Sequence, residues 1–203
     1  RPSIRAAMAA SNGVVRLLRI GDSAGREVYT RTAQFVVFLA LSQLWPEAKA
    51  TMNCTLGPAL YIQVENAPDF SAEKLKAQVH KIVTEDIPLI RRRITTEEAN
   101  RLFSKQGRSD QTRLLQWRNA PHFDIYSHGD FADYYYGELA PSTGYLQVWD
   151  ILEAEGGFLF VFPDEQNPDQ VGNCEDMPNF FAVFAEGERW GQLMECKTVA
   201  NLN

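Results

Sequence analysis

The chain has 203 residues, 45% of them hydrophobic and 23% charged, the balance of an ordinary globular protein. A formal net charge of −6 repels phosphate backbones in aggregate, so nucleic-acid binding in trans would need a local basic patch, and Arg91-Arg92-Arg93 is the only dense one. Cys54, Cys174 and Cys196 make no C-x-x-C pair, which argues against a disulfide framework or zinc finger and suits a reducing cytoplasm.

The first 25 residues are the least decisive. V-V-R-L-L-R-I at 14–20 has strand propensity, and G-D-S-A-G at 21–25 reads as a turn. Thr30 to Trp45 reads as a helix, with Ala33, Val36, Val37, Ala40, Leu41 and Leu44 at helical spacing, Thr30 as cap and Pro46 as stop. It is apolar nearly all round, and its longest apolar run, Phe35 to Leu41, is too short to span a membrane. No signal peptide is visible.

Ala50–Leu56 and Ala59–Glu65 read as strands of a hairpin about Gly57-Pro58. Ser71 caps a second helix running to about Asp86, with Leu75, Val79, Ile82 and Val83 as its buried stripe. Pro88 to Ile94 reads as a strand whose alternation puts Arg91 and Arg93 on one face and Arg92 on the other. T-T-E-E at 95–98 is a capping box for a third helix ending at Gly107, and Gln111 to Trp117 adds a helical turn.

Strands are expected at Phe123–Tyr126, Asp133–Tyr136, Tyr145–Leu152 and Gly157–Phe162. In D-Y-Y-Y-G at 133–137, Tyr134 and Tyr136 would point one way and Tyr135 the other. Pro163 to Pro178 is a loop, and Asn179 to Met194 reads as a terminal helix. This order implies an α+β fold, helices packed on a largely antiparallel sheet.

Chemistry-bearing motifs are sparse. There is no P-loop, no dinucleotide-binding glycine pattern and no nucleophile elbow. His80 lies on the second helix, and His122 and His128 flank a strand near Asp124, Asp130 and Asp133, with no spacing that fixes a catalytic or metal-ligating set.

Several segments, taken together, resemble the editing domain of threonyl-tRNA synthetase. They are the helix ending in A-L-S-Q-L-W-P at 40–46, the Gly57-Pro58 hairpin with Tyr61, the helix from Ser71, T-T-E-E-A at 95–99, and Asp133 with Gly137. The resemblance covers most of residues 26–162 and implies the α+β common-domain type shared by threonyl- and alanyl-tRNA synthetases. It also implies an H-x-x-x-H pair on the first helix and a C-x-x-x-H pair after Asp133. This chain has Arg31 and Phe35 at the first pair and Tyr135 and Leu139 at the second. None of the four can build a zinc-dependent or hydrolytic site.

Y-x-R-T at 29–32, D-Y-Y-Y-G at 133–137, P-S-T-G-Y at 141–145 and G-F-L at 157–159 more closely resemble the N-terminal region of bacterial uridine-kinase-like proteins. That resemblance implies a division into a TGS-like end or lead-in strand at 1–25, a synthetase-editing-like domain at 26–178, and a terminal helix and linker at 179–203. It further implies a P-loop kinase domain of the same polypeptide beyond this piece, with ATP and Mg²⁺ belonging there and no cofactor or metal here. The expected role is a non-catalytic accessory, ligand-sensing or docking domain, cytoplasmic, binding a nucleoside, nucleotide or amino acid. Its candidate pocket is Arg31, Phe35, Asp133, Tyr135, Leu139 and Tyr145. Arg31 would pair with Asp133 or hold an anion, and a tyrosine would stack a base. The alternatives are an editing-type hydrolase rebuilt around His122 and His128, and an RNA-binding module using Arg91 to Arg93.

Overall fold

The structure, a computed structural model, describes residues 19–105 and 122–174. Three helices and seven strands are present among them: α1 (Ser23–Leu44), β1 (Lys49–Leu56), β2 (Ala59–Glu65), α2 (Ala72–Thr84), β3 (Arg91–Thr95), α3 (Thr96–Lys105), β4 (His122–His128), β5 (Phe131–Tyr134), β6 (Asp150–Ala154) and β7 (Gly157–Val161). One antiparallel sheet has the order β1-β2-β7-β6 and a second the order β3-β4-β5. The fold is α+β.

Helix α1 is the hub. Phe35, Val36 and Ala40 are fully buried, and the run from Phe35 to Leu41 is buried without interruption. A helix enclosed on all sides needs no polar stripe, which is why its sequence shows only a weak one. It shares its core with Leu75, Val79 and Ile82 of α2, Ile62 of β2 and Phe158 and Phe160 of β7. A smaller core joins Ala99 and Phe103 of α3 to Phe123 and Ile125 of β4.

Local signals explain several element ends. The Ser71 hydroxyl accepts from the Lys74 N–H and starts α2. At the head of α3 the Glu98 N–H donates to Thr95 Oγ1 at 3.2 Å while the Thr95 N–H donates to Glu98 Oε2 at 2.9 Å, the reciprocal pair of a capping box. The β1–β2 turn pairs Leu56 with Ala59 across Gly57, whose φ of 52° suits glycine, and the register slips between Met52 and Cys54.

Four expectations need correction. Helix α1 starts at Ser23, so Thr30 is helical rather than a cap, and the turn expected at 21–25 gives way to helix from its third residue. The strand expected from Pro88 begins at Arg91, and Pro88 instead makes a lone bridge to Ser142. Strand β5 runs from Phe131 and stops at Tyr134. Residues 145–152 are not one strand: Thr143–Tyr145 is a short 3-10 turn, and β6 begins only at Asp150. The 3-10 turn is closed by the Leu146 N–H on the Thr143 carbonyl, and Trp149 Nε1 donates back to the Leu146 carbonyl, so the chain extends only from Asp150. Of the strand expected at 14–20, Arg19 and Ile20 are not strand and the rest lies outside the described residues, as do the end of the third helix at Gly107, the turn at 111–117 and the helix at 179–194. Among the described residues no helix is long and apolar enough to cross a membrane.

Candidate functional site

Arg31 and Phe35 are one helical turn apart on α1 and so share a face. Against that face lies the segment that follows β5. Phe35 is fully buried, with its ring edge-on to Phe131 at 5.4 Å and to Tyr135 at 6.3 Å between centroids. Tyr135 meets Tyr126 edge-on at 6.4 Å, and Leu139 is buried in the same core. Three of the six expected site residues, Phe35, Tyr135 and Leu139, therefore share one core, and Asp133 joins them through Tyr135. Asp133 is buried, accepting from the Tyr134 N–H at 2.8 Å and from the Tyr135 hydroxyl at 3.2 Å. Its two oxygens serve the tyrosine segment itself.

Arg31 has a different set of partners from the one expected. It donates from Nε to the Glu138 carbonyl at 3.1 Å and pairs with Glu27 at 3.2 Å. Gly137 makes room for it, since a Cβ there would sit 2.8 Å from the guanidinium carbon. The alternation of the tyrosines survives the end of β5. Tyr135 is buried, Tyr136 is exposed, and the Tyr134 and Tyr136 rings lie 4.9 Å apart.

Glu138 ties this segment to the three-stranded sheet. Its carboxylate pairs with Arg91 of β3 and accepts from the Tyr126 hydroxyl at 3.0 Å, while the same hydroxyl accepts from the Leu139 N–H at 3.1 Å. Burial is the main reason the Tyr126 hydroxyl is pushed above its ordinary pKa. Arg93 holds Asp124 through two hydrogen bonds, at 3.0 and 3.4 Å, and lowers that carboxyl's pKa. Arg91 and Arg93 thus share a face, as alternation requires, and both face carboxylates of this chain.

Two motifs that had no mechanism in the sequence prove to be clasps. From the first, Tyr29 donates to the Val148 carbonyl at 2.6 Å, and the Ala140 N–H donates to Thr32 Oγ1 at 2.8 Å. With Arg31, three side chains of Y-x-R-T hold backbone groups between residues 138 and 148. From the second, buried Thr143 donates to the Ile82 carbonyl at 2.7 Å and accepts from the Ile87 N–H at 2.9 Å. Ser142 and Gly144 both donate to Asp86 Oδ1, Gly144 at 3.1 Å. The P-S-T-G-Y turn thereby fastens onto the C-terminal end of α2 and supplies partners for groups a helix end leaves unbonded.

Tyr145, the sixth expected residue, is exposed and lines a groove with Lys76, His80 and Trp149, whereas the cluster about Phe35 is packed core. His122 and His128 are exposed at opposite ends of β4, about 20 Å apart at the rise of a strand. Among the described residues no three His, Cys, Asp or Glu side chains converge on a point that would hold a metal.

No protein-family model matches the chain. Among curated proteins, the threonine–tRNA ligase of Symbiobacterium thermophilum is 30% identical over 150 residues, 71% of this chain and 23% of that ligase. The threonine–tRNA ligase of Syntrophomonas wolfei is 28% identical over 153 residues, 72% of this chain and 24% of its own length. That of Acidithiobacillus ferrooxidans is 29% identical over 153 residues, 72% of this chain and 23% of its own. This is a threonine–tRNA ligase-like domain. The chain spans about a quarter of the length of the curated relatives it matches. At the positions where the synthetase resemblance implies His, His, Cys and His, this chain holds Arg31, Phe35, Tyr135 and Leu139, and the last three share one core.

Proposed function

We propose that this threonine–tRNA ligase-like domain is a non-catalytic accessory domain that keeps the frame of an editing site without its chemistry. One observation carries the reading: the Phe35 ring, fully buried, is packed edge-on against Phe131 and Tyr135 at the point where a hydrolytic site would need an open, polar cavity. Three imidazoles and a thiolate could activate water or bind zinc there, but an arginine, two aromatic rings and a leucine cannot. The role left is to dock onto another part of its polypeptide or to hold a small ligand elsewhere on its surface. The test is deacylation of mischarged threonine tRNA. The expected result is a rate indistinguishable from buffer, and hydrolysis above buffer would overturn the reading.

The motifs Y-x-R-T, D-Y-Y-Y-G and P-S-T-G-Y support placing the domain ahead of a P-loop kinase of the uridine-kinase-like type, with ATP and Mg²⁺ used by that kinase domain. This part of the reading stands on those motifs alone. Sequencing the reading frame beyond Asn203 tests it: a G-x-x-x-x-G-K-[ST] sequence supports it, and a synthetase catalytic domain there would replace it.

The ligase relatives favour a second reading, an aminoacyl-tRNA editing-type hydrolase or tRNA-binding module. The separation of His122 from His128 and the internal pairing of Arg91 and Arg93 count against its two candidate sites. A His128→Ala variant that abolished a measurable deacylation would favour it.

A further inference from the structure

Outside the filled cluster, an open groove of about 720 Å³ runs along α2 and the clasp that follows it. That volume is within the range of small-molecule clefts, about 300–1,000 Å³. Lys76, His80 and Thr84 recur at four-residue spacing on α2, so one face of the helix lines about 12 Å of the groove, at 1.5 Å rise per residue. Its ends differ in charge. Lys76 stands at one end, where its only described ionic partner is Asp150. Asp86 stands at the other, just past the C-terminal end of α2, where the helix dipole is also negative.

Between the ends lie two aromatic side chains of different character. Trp149 is fixed, donating from Nε1 to the Leu146 carbonyl at 3.2 Å and stacked on Phe160 with centroids 5.9 Å apart. Tyr145 is 58% exposed and offers a ring face to whatever enters. Asp86 is held in a left-handed conformation, φ 49°, with Ser142 and Gly144 both bonded to Oδ1. Aspartate tolerates that region better than most residues, but the position is still uncommon and is held here by the clasp.

We propose that this groove binds a nucleoside monophosphate whose base carries an exocyclic amine. The base stacks on Tyr145 and donates its amine to the second oxygen of Asp86, and the phosphate reaches Lys76 and His80 in place of Asp150. A free amino acid is too short to join the two charged ends, and inorganic phosphate uses only one of them. The site lies apart from Phe35 and does not depend on whether that cluster hydrolyses anything.

Isothermal titration of the chain as it stands tests the assignment, with AMP, CMP, UMP, adenosine and sodium phosphate as probes. AMP and CMP are expected to bind with millimolar or better affinity, and UMP, adenosine and phosphate more weakly. Tyr145→Ala and Lys76→Ala, both at exposed side chains, are each expected to weaken AMP binding about fivefold or more, the value of one stacking or charge-assisted contact. Absence of AMP and CMP binding, or equal binding by wild type and both variants, would overturn the proposal. A short single-stranded RNA that binds about tenfold tighter than AMP would overturn its assignment to a free nucleotide.

Discussion

The Phe35 ring meets the Tyr135 ring edge-on, with centroids 6.3 Å apart, across 100 residues of chain. One ring comes from the central helix and the other from the segment after β5, and both stand where the synthetase resemblance implies side chains that handle water or metal. The contact is part of the main core.

Phe35→Ala should therefore behave as a core truncation. The expected loss is about 3–5 kcal/mol of unfolding free energy, because transfer and cavity terms add at a site with no exposure. Urea unfolding followed by tryptophan fluorescence measures it. A loss under about 1 kcal/mol would mean the site collapses or fills with water, and the packed-core description would fail.

Thr143→Val should cost more than its nearly equal volume suggests. The Thr143 hydroxyl is buried and serves two backbone groups, the Ile82 carbonyl and the Ile87 N–H. Valine leaves both without that partner, and about 2 kcal/mol or more should be lost. Thr143→Ser keeps the hydroxyl and should retain most of the stability, so the two variants separate the hydrogen bonds from the methyl group.

Local chemistry is what the sequence displays well. The Ser71 and Thr95–Glu98 caps were readable because donor and acceptor sit three residues apart. The opposite faces taken by Tyr135 and Tyr136 follow from alternation alone. The real start of α1 at Ser23 was hidden because Gly21 and Gly25 bracket it like a turn, and glycine costs a helix only about 1 kcal/mol. The clasps were hidden for a different reason. Thr32 finds its partner at Ala140 and Thr143 at Ile82, separations of 108 and 61 residues that leave no periodic trace. The groove was missed likewise, since Tyr145 joins Lys76 and His80 only once the P-S-T-G-Y turn docks on α2.

Acid should loosen the sheet that carries β3. Arg93 holds the Asp124 carboxyl below its ordinary pKa, and the Thr95 backbone N–H does the same for Glu98. A carboxyl with a lowered folded pKa contributes stability above its unfolded pKa, near 4, and loses it as pH falls through the folded value. Glu98 is exposed and Asp124 half-buried, so solvent screens both, and the slope should be shallow and flatten further in salt. Side-chain carbonyl NMR titration should place Asp124 below the ordinary carboxylate range, and Arg93→Ala should move it back up.

Gly137 and Gly157 make opposite predictions from the same substitution. At Gly137 an added Cβ would meet the Arg31 guanidinium at 2.8 Å, and the end of a long side chain can swing away. Gly137→Ala should keep most of the stability but break the Arg31–Glu138 hydrogen bond, so in a double-mutant cycle Arg31→Ala should cost less in the Gly137→Ala background than in the wild type. At Gly157 the added Cβ would lie 2.1 Å from the Ile62 carbonyl oxygen and 2.9 Å from Gln63 Cα, both backbone atoms of the paired strand β2. Neither can move without opening the β2–β7 ladder at the middle of the four-stranded sheet. Gly157→Ala should lose on the order of 3 kcal/mol, the upper range for an overpacked site. Equal melting temperatures for the two variants would show that β2 and β7 do not approach this closely.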